Sequence, residues 1–269
     1  MTAHINQTMR IPVNGLYLNT KVDGPENAPW LVFSNSLATN LSLWDEQVAA
    51  LGSQFRILRY DQRGHGHSDM PPAGSTYNDL AQDMLGLLDH FKIEQAIFIG
   101  VSMGAVTVLR AAALRPERCR AVIACDGQWV ASAAARADRL ERIAMAERED
   151  MQTLARHTAA RWSLPDFPTR LPEHYRRMEE MVANTPKEGY LGCTRILLDY
   201  DFRQDYPGLS MPVLYIAGAQ DGGVPKVVQA MAEATPRSTF MTIEHCGHIP
   251  ALEQPEEFLK AVVAFIATV

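Results

Sequence analysis

With 269 residues, 47% of them hydrophobic, the chain has enough apolar material for one large core and room for an inserted segment. Its 31 acidic and 25 basic residues leave a net charge of −6, and no Lys/Arg cluster stands free of acidic neighbours, which excludes the electrostatic footprint of a nucleic-acid binder. No apolar run approaches the ~20 residues of a membrane span. Met1 to Asn6 lack the basic-then-apolar pattern of a leader, and Cys119, Cys125, Cys193 and Cys246 show no CxxC pairing. The expectation is a cytoplasmic protein with reduced, buried thiols, no metal and no membrane partner.

In chain order, the apolar patterning predicts a hairpin over Met9 to Val22 and a strand from Trp30 to Ser34, whose following turn, Asn35-Ser36-Leu37-Ala38-Thr39, leads toward Trp44. A strand from Phe55 to Tyr60 runs into Asp61-Gln62-Arg63-Gly64-His65-Gly66, expected to be a structural turn in which Arg63 bonds backbone carbonyls. Leu80, Met84, Leu87 and Leu88 recur at helical spacing within Leu80 to Phe91. Strands follow at Ala96 to Gly100 and Ala121 to Cys125, then at Val213 to Ala217 and Thr239 to Ile243. A last helix, Pro255 to Ala267, carries Phe258, Val262 and Phe265 on one stripe, with Glu256 and Glu257 suiting its N-terminal dipole. This alternation predicts an α/β fold, a mostly parallel sheet flanked by helices.

Residues 132–205 break the rhythm. They hold charged helical patterns, Arg136 to Thr153 and Glu173 to Asn184, punctuated by Pro165, Pro168 and Pro172, and no convincing strand. They are expected to form a helical cap inserted between core segments 1–131 and 206–269. Arg136, Arg139 and Arg142 sit among Glu141, Glu147 and Glu149, a pattern expected of a solvated helix face.

The chemistry centres on Gly100-Val101-Ser102-Met103-Gly104, a serine between two glycines after an apolar strand and before a helical run. That is the pattern of a nucleophile elbow, where the sharp turn exposes the hydroxyl and tolerates no β-carbon on either side. A serine needs a base, itself oriented by an acid. His248, in Glu244-His245-Cys246-Gly247-His248 after a strand, is the stronger base candidate, since Gly247 lets the loop curl back; His245 competes. Asp221, after Val213 to Gln220, is the stronger acid candidate, and Asp126, directly after the strand ending at Cys125, competes. The order Ser102, Asp221, His248 is the one this architecture uses. A metal site at His245, Cys246 and His248 lacks a second ligand cluster. Backbone N–H groups of Leu37 and Met103 are the candidate oxyanion donors, and Trp129 and Trp162 are candidates to line the substrate pocket.

Together these motifs resemble the α/β-hydrolase superfamily across almost the whole chain outside the cap. Closer features resemble the 3-oxoadipate enol-lactonases: Ser34-Asn35-Ser36-Leu37, Leu43-Trp44, Arg59-Tyr60-Asp61, Arg63-Gly64-His65-Gly66-His67-Ser68 and, in the cap, Arg161-Trp162 and Lys187-Glu188-Gly189-Tyr190. The chain departs from them at Gly104-Ala105, where Gly-Gly is common, and at Asp126-Gly127-Gln128, where Asn-Thr-Ala is common. The resemblance implies a cofactor-free serine hydrolase that opens a small carboxylate-bearing lactone in aromatic-compound degradation, with Arg161 or Arg195 pairing the carboxylate. A carboxylesterase, another lactonase such as one acting on acyl-homoserine lactones, a cofactor-free haloperoxidase and a non-catalytic hydrolase-fold receptor are the alternatives.

Overall fold

The computed structural model describes residues 7–269; the leader pattern sought in the first six residues lies outside them. Eight strands form one sheet: β1 (Met9–Val13), β2 (Leu16–Asp23), β3 (Trp30–Ser34), β4 (Arg56–Tyr60), β5 (Ala96–Val101), β6 (Cys119–Cys125), β7 (Val213–Gly218) and β8 (Ser238–Ile243). They lie side by side in the order β1-β2-β4-β3-β5-β6-β7-β8. β1 and β2 pair antiparallel with each other, β2 pairs antiparallel with β4, and every other pairing is parallel. β5 and β7 are buried along their whole lengths, as expected of strands covered on both faces, while β8 at the edge alternates.

Helices α1 (Asp45–Leu51), α2 (Tyr77–His90), α3 (Met103–Leu114), α9 (Val224–Ala234), α10 (Pro250–Glu253) and α11 (Pro255–Ile266) belong to the connections of this sheet. α2 starts in a capping box formed by Thr76 and Asp79, and α11 starts at a proline, which loses no helical hydrogen bond there. Five helices lie between β6 and β7: α4 (Ala133–Arg148), α5 (Met151–Trp162), α6 (Phe167–Arg170), α7 (Pro172–Ala183) and α8 (Lys187–Ile196). The helical pattern expected over Arg136 to Thr153 is two helices rather than one. Glu149 turns extended and Asp150 caps α5 by accepting from the Thr153 N–H at 2.7 Å, so the chain reverses where the charge periodicity continues. An isolated bridge, Val130 with Asp201, ties the two ends of this segment together.

All four cysteines are free and buried. Burial pushes the Cys193 thiol up to about 12, which keeps it protonated and inert at neutral pH. No helix among the described residues is long and apolar enough to cross a membrane.

Candidate active site

The carboxyl ends of β3, β5, β6 and β7 converge, and the site is built on the turns that leave them. β5 ends at Val101 and α3 begins at Met103, leaving Ser102 between them at φ +54°, a backbone strained by ~1–3 kcal/mol for a residue with a β-carbon. Its N–H donates to the Cys125 carbonyl at 2.7 Å, closing the turn against β6. A β-carbon on Gly100 would strike the Gly104 carbonyl, and one on Gly104 would strike the Ser34 carbonyl, so both flanking glycines are demanded by close backbone approach.

Ser102 Oγ lies 2.8 Å from His248 Nε2, and His248 Nδ1 lies 2.6 Å from Asp221 Oδ2. The order of donors follows from the chemistry: the serine hydroxyl donates to Nε2 and the Nδ1–H donates to the carboxylate. Burial opposes ionisation of Asp221, but the His248 charge and hydrogen bond, with a further hydrogen bond from Asp126, outweigh it and hold this carboxyl below the usual range. His245 points elsewhere, its Nε2 2.6 Å from Asp166 Oδ2. Asp126 is buried beside Asp221; burial first, and the Asp221 charge second, push its carboxyl well above the usual range. Among the described residues, Asp126, Asp221 and His248 are the one trio of possible metal ligands in reach of each other. Within this trio His248 bridges Asp221 and Ser102 by hydrogen bonds, which suits proton movement.

The turn after β3 faces the elbow. Leu37 and Met103 both line the cavity above Ser102, and no hydrogen bond engages either backbone N–H among the described residues. Ala38, next to Leu37, is held at φ +60° because its N–H donates to His65 Nε2 at 2.8 Å. Asn35 is locked by Trp44 Nε1 donating to its Oδ1 at 2.7 Å, by its own Nδ2 donating to the Tyr60 carbonyl at 2.7 Å, and by Gln62 Nε2 donating to its carbonyl at 2.6 Å. The Asp61 to Ser68 loop is therefore the scaffold of the turn that follows β3. Arg63 departs from expectation: it forms a buried bidentate pair with Asp83, at 2.7 and 2.8 Å, and donates to Ser75 Oγ rather than to carbonyls. Asp83 lies on the buried stripe of α2 with Leu80, Met84 and Leu87, and an acid on such a stripe is a sequence signal that a cation must come to meet it.

A cavity of about 320 Å³ opens over Ser102 and His248, roofed by α4 and α5. Trp162 lines it, its ring 5.8 Å from the His248 ring. Trp129 does not: Gly127 and Gln128 reach the cavity, and the chain then turns away so that Trp129 packs on the core and accepts from the Phe202 N–H. Arg161 lines the cavity, whereas Arg195 does not: it is exposed and pairs with Glu147 at 3.4 Å. The solvated face expected of α4 is also only partly so. Arg136 is exposed, but Arg139 and Arg142, one turn apart, face the cavity. Arg139 donates to the Leu197 carbonyl and stacks over Tyr200. Arg142 makes no hydrogen bond among the described residues, with Nε buried and 3.3 Å from Asp138 Oδ2. Asp138 also pairs with Arg161, so two guanidinium groups share this carboxylate while Arg139, beside them in the lining, has no carboxylate partner among the described residues.

Sequence reasoning missed Glu253. Fully buried at the end of α10, it accepts from the Gly247 N–H at 2.7 Å and the Leu164 N–H at 2.8 Å, while His248 N–H donates to the Trp162 carbonyl at 2.6 Å. The histidine loop is thus clamped to the segment that follows α5. Nothing local marks Glu253, since its partners lie 6 and 89 residues away.

The model of the alpha/beta hydrolase fold family matches residues 29–255. The chain is 37% identical over 253 residues, 92% of each protein, to 3-oxoadipate enol-lactonase 2 of Acinetobacter baylyi. It is 33% identical to 3-oxoadipate enol-lactonase 1 of the same organism, over 99% of both. Its structure superposes on the crystal structure of the enol-lactonase from Burkholderia xenovorans LB400 with a TM-score of 0.91 at 36% identity, covering 96% of this chain and 100% of that one.

Proposed function

The chain belongs to the alpha/beta hydrolase fold family, and on that premise we propose that it is a carboxylic ester hydrolase that opens a small carboxylate-bearing lactone, the enol-lactone of 3-oxoadipate, through an acyl-enzyme. The observation that carries this is one juxtaposition: the hydrogen-bonded Ser102, His248 and Asp221 open into a cavity whose roof presents Arg139, Arg142 and Arg161 against the single carboxylate of Asp138. Two relatives named 3-oxoadipate enol-lactonase, aligned over nearly the whole chain, support the same substrate.

In this mechanism Ser102 Oγ attacks the lactone carbonyl as His248 Nε2 takes its proton, and Asp221 holds the imidazolium that results. The Leu37 and Met103 N–H groups take the oxyanion; losing one such donor typically costs ~3 to 4 kcal/mol of transition-state stabilisation. Collapse breaks the ring C–O bond, and His248 returns its proton to the enol oxygen, which stays attached to the acyl chain. Water, deprotonated by His248, then attacks the acyl-enzyme; the bond from the acyl carbon to Ser102 Oγ breaks, His248 returns its proton to Oγ, and the second carboxylate is released. Residues 132–205 act as a cap that encloses the substrate against the sheet, and the enzyme works in the cytoplasm on a soluble small molecule. Ser102→Ala tests the assignment: turnover of the enol-lactone should vanish with the melting temperature preserved, and retained turnover overturns it.

A further inference from the structure

Two acids reach the same histidine neighbourhood, and the second has no place in a three-residue triad. Asp126 leaves β6 at φ +50°, its N–H donating to the Ile216 carbonyl at 2.9 Å, so its side chain is aimed under the β7 turn rather than toward solvent. Its Oδ1 accepts from the Gly218 N–H at 3.0 Å, and the Cys125 thiol lies 3.0 Å from Oδ2. Polar atoms of Asp126, Asp221 and His248 fall within 4.8 Å of one another, so the two carboxyl groups are close neighbours under the histidine. A hydrogen bond between two carboxyl groups requires a proton on one of them.

We propose that Asp126 is a neutral carboxylic acid that donates this hydrogen bond to Asp221, making it a positioning residue for the triad. The proton belongs on Asp126 because Asp221 meets the His248 Nδ1–H at 2.6 Å, whereas the other donors that reach Asp126 are an uncharged thiol and an amide. Two adjacent buried carboxylates do not both ionise. The other titratable groups facing the pair are His248, the Cys125 and Cys246 thiols and, on the Asp221 side, Arg161. The consequence is chemical. When His248 becomes an imidazolium, Asp221 must remain the ionised partner, and a hydrogen bond from Asp126 lowers the basicity of Asp221, keeping the Nδ1 proton on the histidine. It also fixes the rotamer of Asp221 on the turn that leaves β7.

This inference rests on reading Ser102, His248 and Asp221 as the triad, and the experiment separates the two. Asp126→Ala removes the donor and should lower kcat/KM for the enol-lactone by about 10- to 100-fold, the range of a lost hydrogen bond to a charged group. Asp126→Asn keeps both contacts, its amide donating to Asp221 and its carbonyl accepting from Gly218, and should restore most of that loss. Infrared spectroscopy of the intact protein at neutral pH should show the carbonyl stretch of a protonated carboxylic acid that disappears in Asp126→Asn; a merely structural Asp126 would not produce it. If Asp126→Asn is no better than Asp126→Ala, or the band is absent or survives the substitution, the proposal is overturned. The band decides even if Asp126→Ala does not fold. Retained turnover in Ser102→Ala would sink the triad while leaving the infrared test of the shared proton intact.

Discussion

Arg142→Gln isolates the electrostatic part of substrate recognition, because glutamine keeps much of the reach of the side chain and removes only its charge. Arg142 faces the cavity with its side chain 17% exposed, and Asp138 occupies only its Nε edge at 3.3 Å. Its terminal nitrogens have no protein partner among the described residues and are free to meet an anion. A carboxylate about 4 Å away at an effective dielectric of about 20 would gain roughly 4 kcal/mol. Arg139 and Arg161 remain in the variant and solvent reaches the cavity, so about half of that, ~2 kcal/mol, should be lost, or about 30-fold in kcat/KM. The informative assay pairs the enol-lactone with its methyl ester, which has the same ring and no charge. The loss should fall on the acid, mainly as KM, and change the ester by less than about 3-fold, since uniform binding energy appears in KM. Arg195→Gln, with its charge spent on Glu147 away from the cavity, should leave both substrates as they were. An equal fall on acid and ester in Arg142→Gln would refute carboxylate pairing and make this arginine a packing residue.

Two other positions test the framework around the site. Glu253→Ala leaves the Gly247 and Leu164 N–H groups buried without acceptors; at ~1–3 kcal/mol for each unsatisfied group, urea denaturation should show a loss of about 3 kcal/mol, accompanied by a fall in kcat as the histidine loop loosens. Glu253→Gln, which retains one acceptor oxygen, should lose less, and identical losses would mean that the clamp is not what Glu253 supplies. His65 gives the fold a pH dependence: burial lowers its imidazole from the ordinary 6.5 to about 4, against the opposing hydrogen bond to the Arg63 carbonyl. The unfolded chain binds this proton first, so the stability contribution is complete above about pH 6.5 and is lost as the pH falls toward about 4, a change of ~3 kcal/mol. Urea midpoints measured across that window should flatten in His65→Gln, and an unchanged slope would remove His65 from the acid response.

How much of this was legible in the sequence depends on how far each residue's partners lie along the chain. Strands such as Ala96–Val101 are buried on both faces and announce themselves as apolar runs. The elbow and the loops carrying Asp221 and His248 are local too, because the glycines beside them mark turns that a β-carbon would block. The roof of the cavity obeys the opposite logic. On α4 the apolar Leu140 is 46% exposed while Arg139 is 8% exposed, so a hydrophobic pattern read along the helix puts the wrong residue inside. That inversion fits the carboxylate-binding roof proposed above, since burying guanidinium groups that lack matched carboxylates is otherwise costly. Asp126 was ambiguous for a related reason: an aspartate after a strand serves equally as a turn residue or an acid, and its partner, Asp221, is 95 residues on, a distance that only the pairing of β6 with β7 closes. Local propensity therefore places Ser102, Asp221 and His248, while the residues proposed to select the substrate or tune this trio break local rules and become intelligible only once the sheet and the inserted helices bring their counterparts into contact.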